Sequence, residues 1–460
     1  MQTRGPTAHG HRILQLLAGG PKPSSFLANA LGASQPTVSR ALQSMRDQLV
    51  RLGAARSIQY AARDGSRGFG DVSIYRVDGR GGVVPLGTLT PLRPDGYVFQ
   101  ESDRPERSQG PSTLYSEGLP WWLLDMRPQG FLGRAFVARH GAALGLPDAL
   151  ATWSDAQALR ALLAHGHDAV GNLLLGDAAR DAFLQASEPV PVPLEGRGLS
   201  YAQMSEDAAR GESPGSSAGG EQPKFTAFAE SNRAHPRHVL VKFTVRQDNA
   251  VTERWRDLLL AEHHALSALR DHGVDASQTA VVDHGGQRFL EVERFDRVGS
   301  RGRRALHSLA ALDAEFIGAA NLPWPDLTRR LAEAGHITSA AHEGASLLYA
   351  FGILIGNTDM HLGNLSFVSE SGRPYQLAPA YDMLPMGFSP RSSGSLPTEL
   401  TAPVLRSHVA NPAWHQALAM ALDWLARLRA EARLSEAFEP CMGALERHLA
   451  AAGAQAARLV

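Results

Sequence analysis

Cysteine is nearly absent from this chain: 460 residues contain one, Cys441. That excludes an internal disulfide framework, and no Cys/His group has the spacing of a zinc site. A surplus of either charge is also missing, since 45 Lys and Arg face 46 Asp and Glu for a formal net charge of −1. No global field therefore draws the chain to nucleic acid or anionic lipid, and any such binding requires a local patch. No stretch reaches the roughly eighteen apolar residues that span a bilayer, and residues 1–12 carry no apolar signal core. These absences imply a cytoplasmic setting with no membrane partner. What is present is ample for folding: 43% hydrophobic residues argue against wholesale disorder. A chain of this length divides into about two to four folding units.

The most informative stretch is Asn357-Thr358-Asp359-Met360-His361-Leu362-Gly363-Asn364, followed by Tyr381-Asp382. In kinase-type sites an Asp takes the proton of the acceptor hydroxyl, an Asn shortly after it holds magnesium, and an Asp beyond a short hairpin holds the metal on the phosphates. Asp359, Asn364 and Asp382 have that order and spacing. Between them, apolar runs over 365–368 and 375–377 flank a Ser/Gly/Pro turn, which predicts a hairpin carrying Asp382 back beside Asn364. The run 347–355 has helical spacing and would seat the loop on a core. A polar loop capping a helix is the plainer reading of the same residue types.

Upstream, 213–225 is rich in Ser and Gly, with Ser216, Ser217, Gly219, Gly220 and Lys224. Small residues let backbone amides approach phosphates, although such runs are most often flexible loops. An apolar strand over 238–243 then places Lys242 among hydrophobic neighbours, where a lysine needs a partner. A helix over 253–270 offers Glu262, with Glu253 and Asp257 as rivals. A strand lysine on the α- and β-phosphates, held by a helix glutamate, is the other half of a kinase site. Alternating charged and apolar residues over 288–297 read as an exposed strand. Its end, Glu293 to Phe295, is the candidate hinge for adenine.

The N-terminal 62 residues show two short helices joined through Gly32, with Ser34 as a cap for the second. Gln35, Thr37, Ser39 and Arg40 face outward, and the residues that follow, with Arg51, Arg56 and Arg63, read as a wing. This pattern resembles a helix-turn-helix, and its local positive charge against a neutral whole fits DNA. A protein-interaction winged helix has the same pattern. Trp121-Trp122-Leu123-Leu124 reads as core or an interdomain contact.

In this order the pieces resemble the HipA family of serine/threonine kinases, toxins of bacterial toxin–antitoxin pairs. The residues carrying the likeness are 216–224, Lys242, 293–297, 357–364 and 377–382. The N-terminal start is similar to the YjjJ-like branch, in which DNA-binding and kinase parts share one chain. The resemblance implies ATP and Mg²⁺ as cofactors, Asp359 as catalytic base, His361 as a loop-orienting residue, and Asn364 and Asp382 as metal ligands. It implies Lys242 on the ATP phosphates, with autophosphorylation on Ser216 or Ser217. It further implies a protein substrate such as an aminoacyl-tRNA synthetase, DNA bound through the N-terminal domain, and an antitoxin. The expected fold is α+β, a two-lobed protein-kinase-like (HipA-like) fold behind an N-terminal winged helix-turn-helix. The expected divisions are 1–66, 67–185, 186–300 and 301–460. A transcriptional regulator whose kinase-like half only binds nucleotide or a partner is the alternative, and a small-molecule kinase would use the same Asp and Asn geometry.

Overall fold

The computed structural model describes residues 8–53, 57–102, 112–210, 222–231, 235–370 and 372–458. At the N-terminus, apolar residues at helical spacing form α1 (Ala8–Leu17), α2 (Ser24–Leu31) and α3 (Gln35–Ser44). Strands β1 (Lys22–Pro23), β2 (Leu49–Leu52) and β3 (Gln59–Ala62) make an antiparallel sheet in the order β1-β3-β2. Ile13, Leu17, Leu27, Val38 and Leu42 close a small core between the helices. Ser34 stands at the N-cap of α3, but its hydroxyl meets the Thr37 hydroxyl at 2.9 Å instead of a backbone amide.

The next unit is a sheet of β4 (Val72–Val77), β5 (Val83–Pro91), β6 (Tyr97–Glu101), β7 (Ser112–Tyr115) and β8 (Leu173–Leu175), ordered β7-β6-β5-β4-β8. One face buries Ile74, Leu89 and Tyr97 against Leu123, Leu159 and Leu162. The helices here are α4 (Gly130–Phe136), α5 (Asp155–His165) and α6 (Gly176–Gln185). Val50, Leu52 and Ala61 pack on Leu92 and Val98, joining this unit to the N-terminal sheet. Trp121 makes an interdomain contact, its ring 4.8, 5.3 and 6.5 Å from His307, Phe316 and Tyr375.

After α7 (Arg197–Ala209) comes a four-stranded antiparallel sheet of β9 (Lys224–Ala229), β10 (Arg237–Phe243), β11 (Thr279–His284) and β12 (Gln287–Glu293). Its order is β11-β12-β10-β9, and α8 (Ala250–Asp271) lies between β10 and β11 in the chain. Tyr201, Phe225, Phe243 and Phe289 fill its core. β12 is not the exposed strand its charge alternation suggests, since every residue except Glu293 is buried. The buried charges are compensated inside: Glu291 accepts from Arg197 at 2.9 Å and from the Tyr201 hydroxyl at 2.7 Å, and Arg288 donates to Asp283 at 2.7 Å.

The remainder is mostly helical. A hairpin of β13 (Arg297–Val298) and β14 (Gly302–Arg303) leads to β15 (Ala305–Ser308), α9 (Leu309–Phe316), α10 (Trp324–Glu333) and α11 (Ser339–Leu354). Then follow β16 (Ser366–Ser369), β17 (Gln376–Leu377), α12 (Asn411–Ala430) and α13 (Glu439–Ala456). Leu266, Phe351, Trp414, Trp424 and Phe438 belong to one continuous core, so α8 serves both the sheet and the helical part. Among the described residues no helix is long and apolar enough to cross a membrane.

Candidate active site

The site is built outward from α11. Leu348, Phe351 and Leu354 are buried and fix the helix, which ends where Gly356 turns left-handed at φ 74. The Asn357 amide then returns to the Gly352 carbonyl at 2.9 Å, a helix-closing bond that needs a residue without a Cβ penalty at Gly356. A Cβ on Gly352 would lie 2.2 Å from Met360 Sδ, so bare backbone there lets the loop 357–364 fold down on α11. Inside the loop, Asn357 Oδ1 accepts the Asp359 amide at 3.1 Å, and Asn364 Nδ2 donates to the Asp359 carbonyl at 2.8 Å. His361 Nδ1 accepts the Gly363 amide at 3.0 Å, a loop-shaping role. The Asp359 backbone is thereby held from both sides, and the residue itself is exposed. Partial burial and the nearby Asp382 charge raise its pKa, and His361 and Lys242 only partly oppose them.

The sequence hairpin forms, with Phe367 opposite Leu377 and Val368 opposite Gln376. It returns the chain so that the Tyr381 hydroxyl donates to the Gly363 carbonyl at 2.7 Å and lies 2.7 Å from the Ser366 hydroxyl. The next residue, Asp382, is the one non-glycine among the described residues with a left-handed backbone, φ 59. Such a conformation costs about 1–3 kcal/mol and persists only where neighbours hold it. Asn357 Nδ2 does so, donating to the Asp382 carbonyl at 3.2 Å.

From the sheet side, Lys242 Nζ donates to both Glu262 oxygens at 2.7 Å and to Asp382 Oδ1 at 2.5 Å. The choice among acids on α8 is thus decided by geometry, because Asp257 is engaged elsewhere, accepting the Ser435 amide at 3.0 Å and its hydroxyl at 2.6 Å. Lys224 pairs with Lys242 in the β9–β10 register, and both are buried. Burial alone would push the Asp382 carboxyl up, but Lys242, Lys224 and the bond from Lys242 outweigh it and hold Asp382 below the ordinary range. Glu262 moves the other way, because its complete burial outweighs Lys242.

Not every sequence candidate gathers here. Ser216, Ser217, Gly219 and Gly220 lie outside the described residues. At the hinge, the Glu293 and Arg294 amides are committed to the Gln278 and His238 carbonyls at 2.8 and 2.9 Å, and Glu293 itself pairs with Arg237 at 3.2 Å. Phe295 is half-buried, its ring 5.5 Å from that of Tyr381. Gln35, Ser39 and Arg40 are exposed on α3, Thr37 half-buried, with the Gln35 amide donating to the Ser24 hydroxyl at 2.7 Å. Sequence reading assigned no role to Asn357 or Tyr381, whose bonds fasten the two loops together. Their only signal was position beside the acidic residues.

The chain is 39% identical over 429 residues to Toxin YjjJ of Escherichia coli (strain K12), covering 93% of this chain and 94% of that protein. The chain belongs to the HipA family of toxins, in its YjjJ-like branch. Two family models match it: "YjjJ-like toxin, middle domain" at residues 69–184 and "HipA-like C-terminal domain" at 216–449. The second spans the whole HipA-family constellation described above, from Lys224 to Asp382. Among solved structures, the chain is similar to HipA in the Shewanella oneidensis MR-1 complex of HipA, HipB and operator DNA. That match has TM-score 0.48 and 14% identity and covers 84% of this chain and 97% of that one. It is also similar to the Helicobacter pylori proinflammatory kinase CtkA, with TM-score 0.38, 14% identity and 52% and 93% coverage.

Proposed function

We propose that this HipA-family chain is an ATP- and Mg²⁺-dependent serine/threonine protein kinase. The observation that carries the reading is the convergence of Lys242, Glu262 and Asp382 beside the loop holding Asp359 and Asn364. In this reading 186–300 with α8 is the small lobe and 301–460 the large lobe of a kinase. Lys242, set by Glu262, contacts the α- and β-phosphates, Lys224 adds charge at the same place, and Phe295 with the Glu293 strand end lies at the adenine.

Among the described residues no three acidic or histidine side chains converge as a metal cage. One carboxylate, Asp382, and the side-chain oxygen of Asn364 make the sparse protein set that Mg²⁺ accepts when phosphate oxygens and water complete its shell. Bound there, the metal would neutralise developing phosphate charge. The residues do the rest. Asp359 accepts the proton of a substrate hydroxyl as its oxygen bonds to the γ-phosphorus, and the bond to the β–γ bridging oxygen breaks to release ADP. A raised carboxyl pKa makes Asp359 a stronger base than an ordinary aspartate, and its exposure admits the incoming hydroxyl.

In the same reading the Ser/Gly loop is phosphorylated on Ser216 or Ser217, which would place a dianion against Glu221 and repel bound ATP. The N-terminal helices and sheet act as a winged helix-turn-helix that presents Gln35, Thr37, Ser39 and Arg40 to DNA. An antitoxin and a protein substrate, with aminoacyl-tRNA synthetases first among those to try, complete the proposed partners. Label transfer from the γ-phosphate of ATP to proteins of a bacterial lysate tests the reading. Transfer that needs Mg²⁺ and vanishes in Asp359→Ala supports it; no transfer and no MgATP binding overturns it.

A further inference from the structure

A cavity of about 610 Å³ opens between the middle unit and the β13–β14 hairpin, and it shares no residue with the constellation around Lys242 and Asp359. Cavities of about 300–1,000 Å³ are the size that holds small organic ligands. Leu132, Phe136, Leu162 and Phe183 give it an apolar wall, whereas its charged lining is one-sided: four arginines against a single carboxylate, Asp168, with four histidines beside them. That carboxylate is already spent, lying 2.9 Å from Arg297, which also binds Asp296 at 2.6 Å.

Arg301 and Arg303 are less well matched. Among the described residues Arg301 pairs with Glu188 alone, at 4.0 Å, and it also donates to backbone carbonyls at the α6 end. Arg303 is 5% exposed and makes no ion pair among the described residues. One guanidinium nitrogen donates to the His167 carbonyl, but Nη1 is buried with no partner. A buried, unpaired donor on a cation is costly unless a ligand completes it. Burial, with Arg297 and Arg294 close by, presses Arg303 down to about 9, and Asp168 and Asp296 only partly oppose them. The same lining includes His140 and His165, stacked at 3.9 Å, with Phe136 5.1 Å from His140.

We infer that this cavity is a second ligand site, taking a phosphomonoester whose anionic head meets Arg303 and Arg301 and whose apolar or aromatic body lies along Phe136 and Leu162. Clustered guanidinium groups favour a tetrahedral dianion over a single carboxylate, because each oxygen can take a separate charge-assisted bond. The site is independent of the kinase reading.

Titration calorimetry on the full chain, with AMP, inorganic phosphate and adenosine as probes, tests this. AMP binds in the parent, inorganic phosphate binds more weakly, and Arg303→Met weakens AMP by about tenfold or more, the loss expected of a charged hydrogen bond. Adenosine shows no binding that depends on Arg303. Should Arg303→Met fail to fold, Arg301→Gln, at a half-exposed position, gives the same loss on an intact protein. A pH series adds a second readout. Burial, with His165 and Arg139 beside His140 and with His167 and Arg139 beside His165, holds both below the ordinary imidazole value. Asp168 is the one acid in the cavity lining, which Arg301 and Arg303 share with the two histidines, so a bound dianion favours their protonation and AMP binds more tightly at about pH 6 than at about pH 8. AMP binding unchanged in both arginine variants, or absent from the parent, overturns the inference.

Discussion

Lys242→Met removes the cation that two carboxylates share and leaves an unbranched apolar stem in β10. In the parent, Nζ lies 2.7 Å from both Glu262 oxygens and 2.5 Å from Asp382 Oδ1. Without it, fully buried Glu262 and half-buried Asp382 confront each other as like charges. Removing one partner of a buried pair costs about 3–5 kcal/mol. Lys224, opposite in the sheet, offsets part of this, so about 3 kcal/mol is expected at about pH 8. For a unit of about 150–250 residues that lowers Tm by about 6–12 °C. The pH dependence has a definite sign. Burial already holds Glu262 above its ordinary value, and loss of Lys242 raises it further. A carboxyl whose folded pKa exceeds its unfolded one costs stability as pH rises between the two, so the deficit shrinks as the pH falls toward about 5. Thermal unfolding of both proteins across about pH 5–8 at constant ionic strength reads this directly. Glu262→Gln, which leaves Lys242 paired with Asp382, should lose less at every pH. A Tm difference that is zero, or that does not vary with pH, would refute the reasoning.

Asp359→Ala should cut phosphoryl transfer by about a hundred- to ten-thousand-fold with an unchanged Tm, because the residue is exposed on a loop. The acidic limb of kcat/KM should fall at a pH above that of an ordinary aspartate, since Asp359 works deprotonated and burial raises its pKa. Asp382→Asn should be more stable than Asp382→Ala by about 1 kcal/mol in chemical denaturation, asparagine tolerating the left-handed backbone at φ 59 better. Arg40→Ala should weaken DNA binding in gel shifts while leaving phosphoryl transfer intact.

The local structure around Asp359 and Asp382 was largely legible because it is specified within a few residues. Gly356, the loop 357–364 and the hairpin are each of this kind, so turn chemistry and spacing placed Asn364 near Asp382. Lys242 was legible for a different reason, a charge in an otherwise apolar strand that demands a partner. The partner was ambiguous, since three acids on one helix differ only in the face they present, and packing of α8 on β12 chose Glu262. β12 was misread because charge alternation signals an exposed strand only when no opposite charge arrives from elsewhere. Arg197, 94 residues away, supplies one to Glu291. Such long-range compensation leaves no local trace. The cavity beside Arg303 was invisible for the same reason, being assembled from five separated stretches of the chain.

Intact mass of the purified chain after incubation with Mg²⁺ and ATP, with peptide mapping and Asp359→Ala in parallel, tests the central claim most directly. A phosphate on Ser216 or Ser217 in the parent, absent from Asp359→Ala, is the expected result. An unchanged mass in the parent, together with no measurable MgATP binding, would contradict the account.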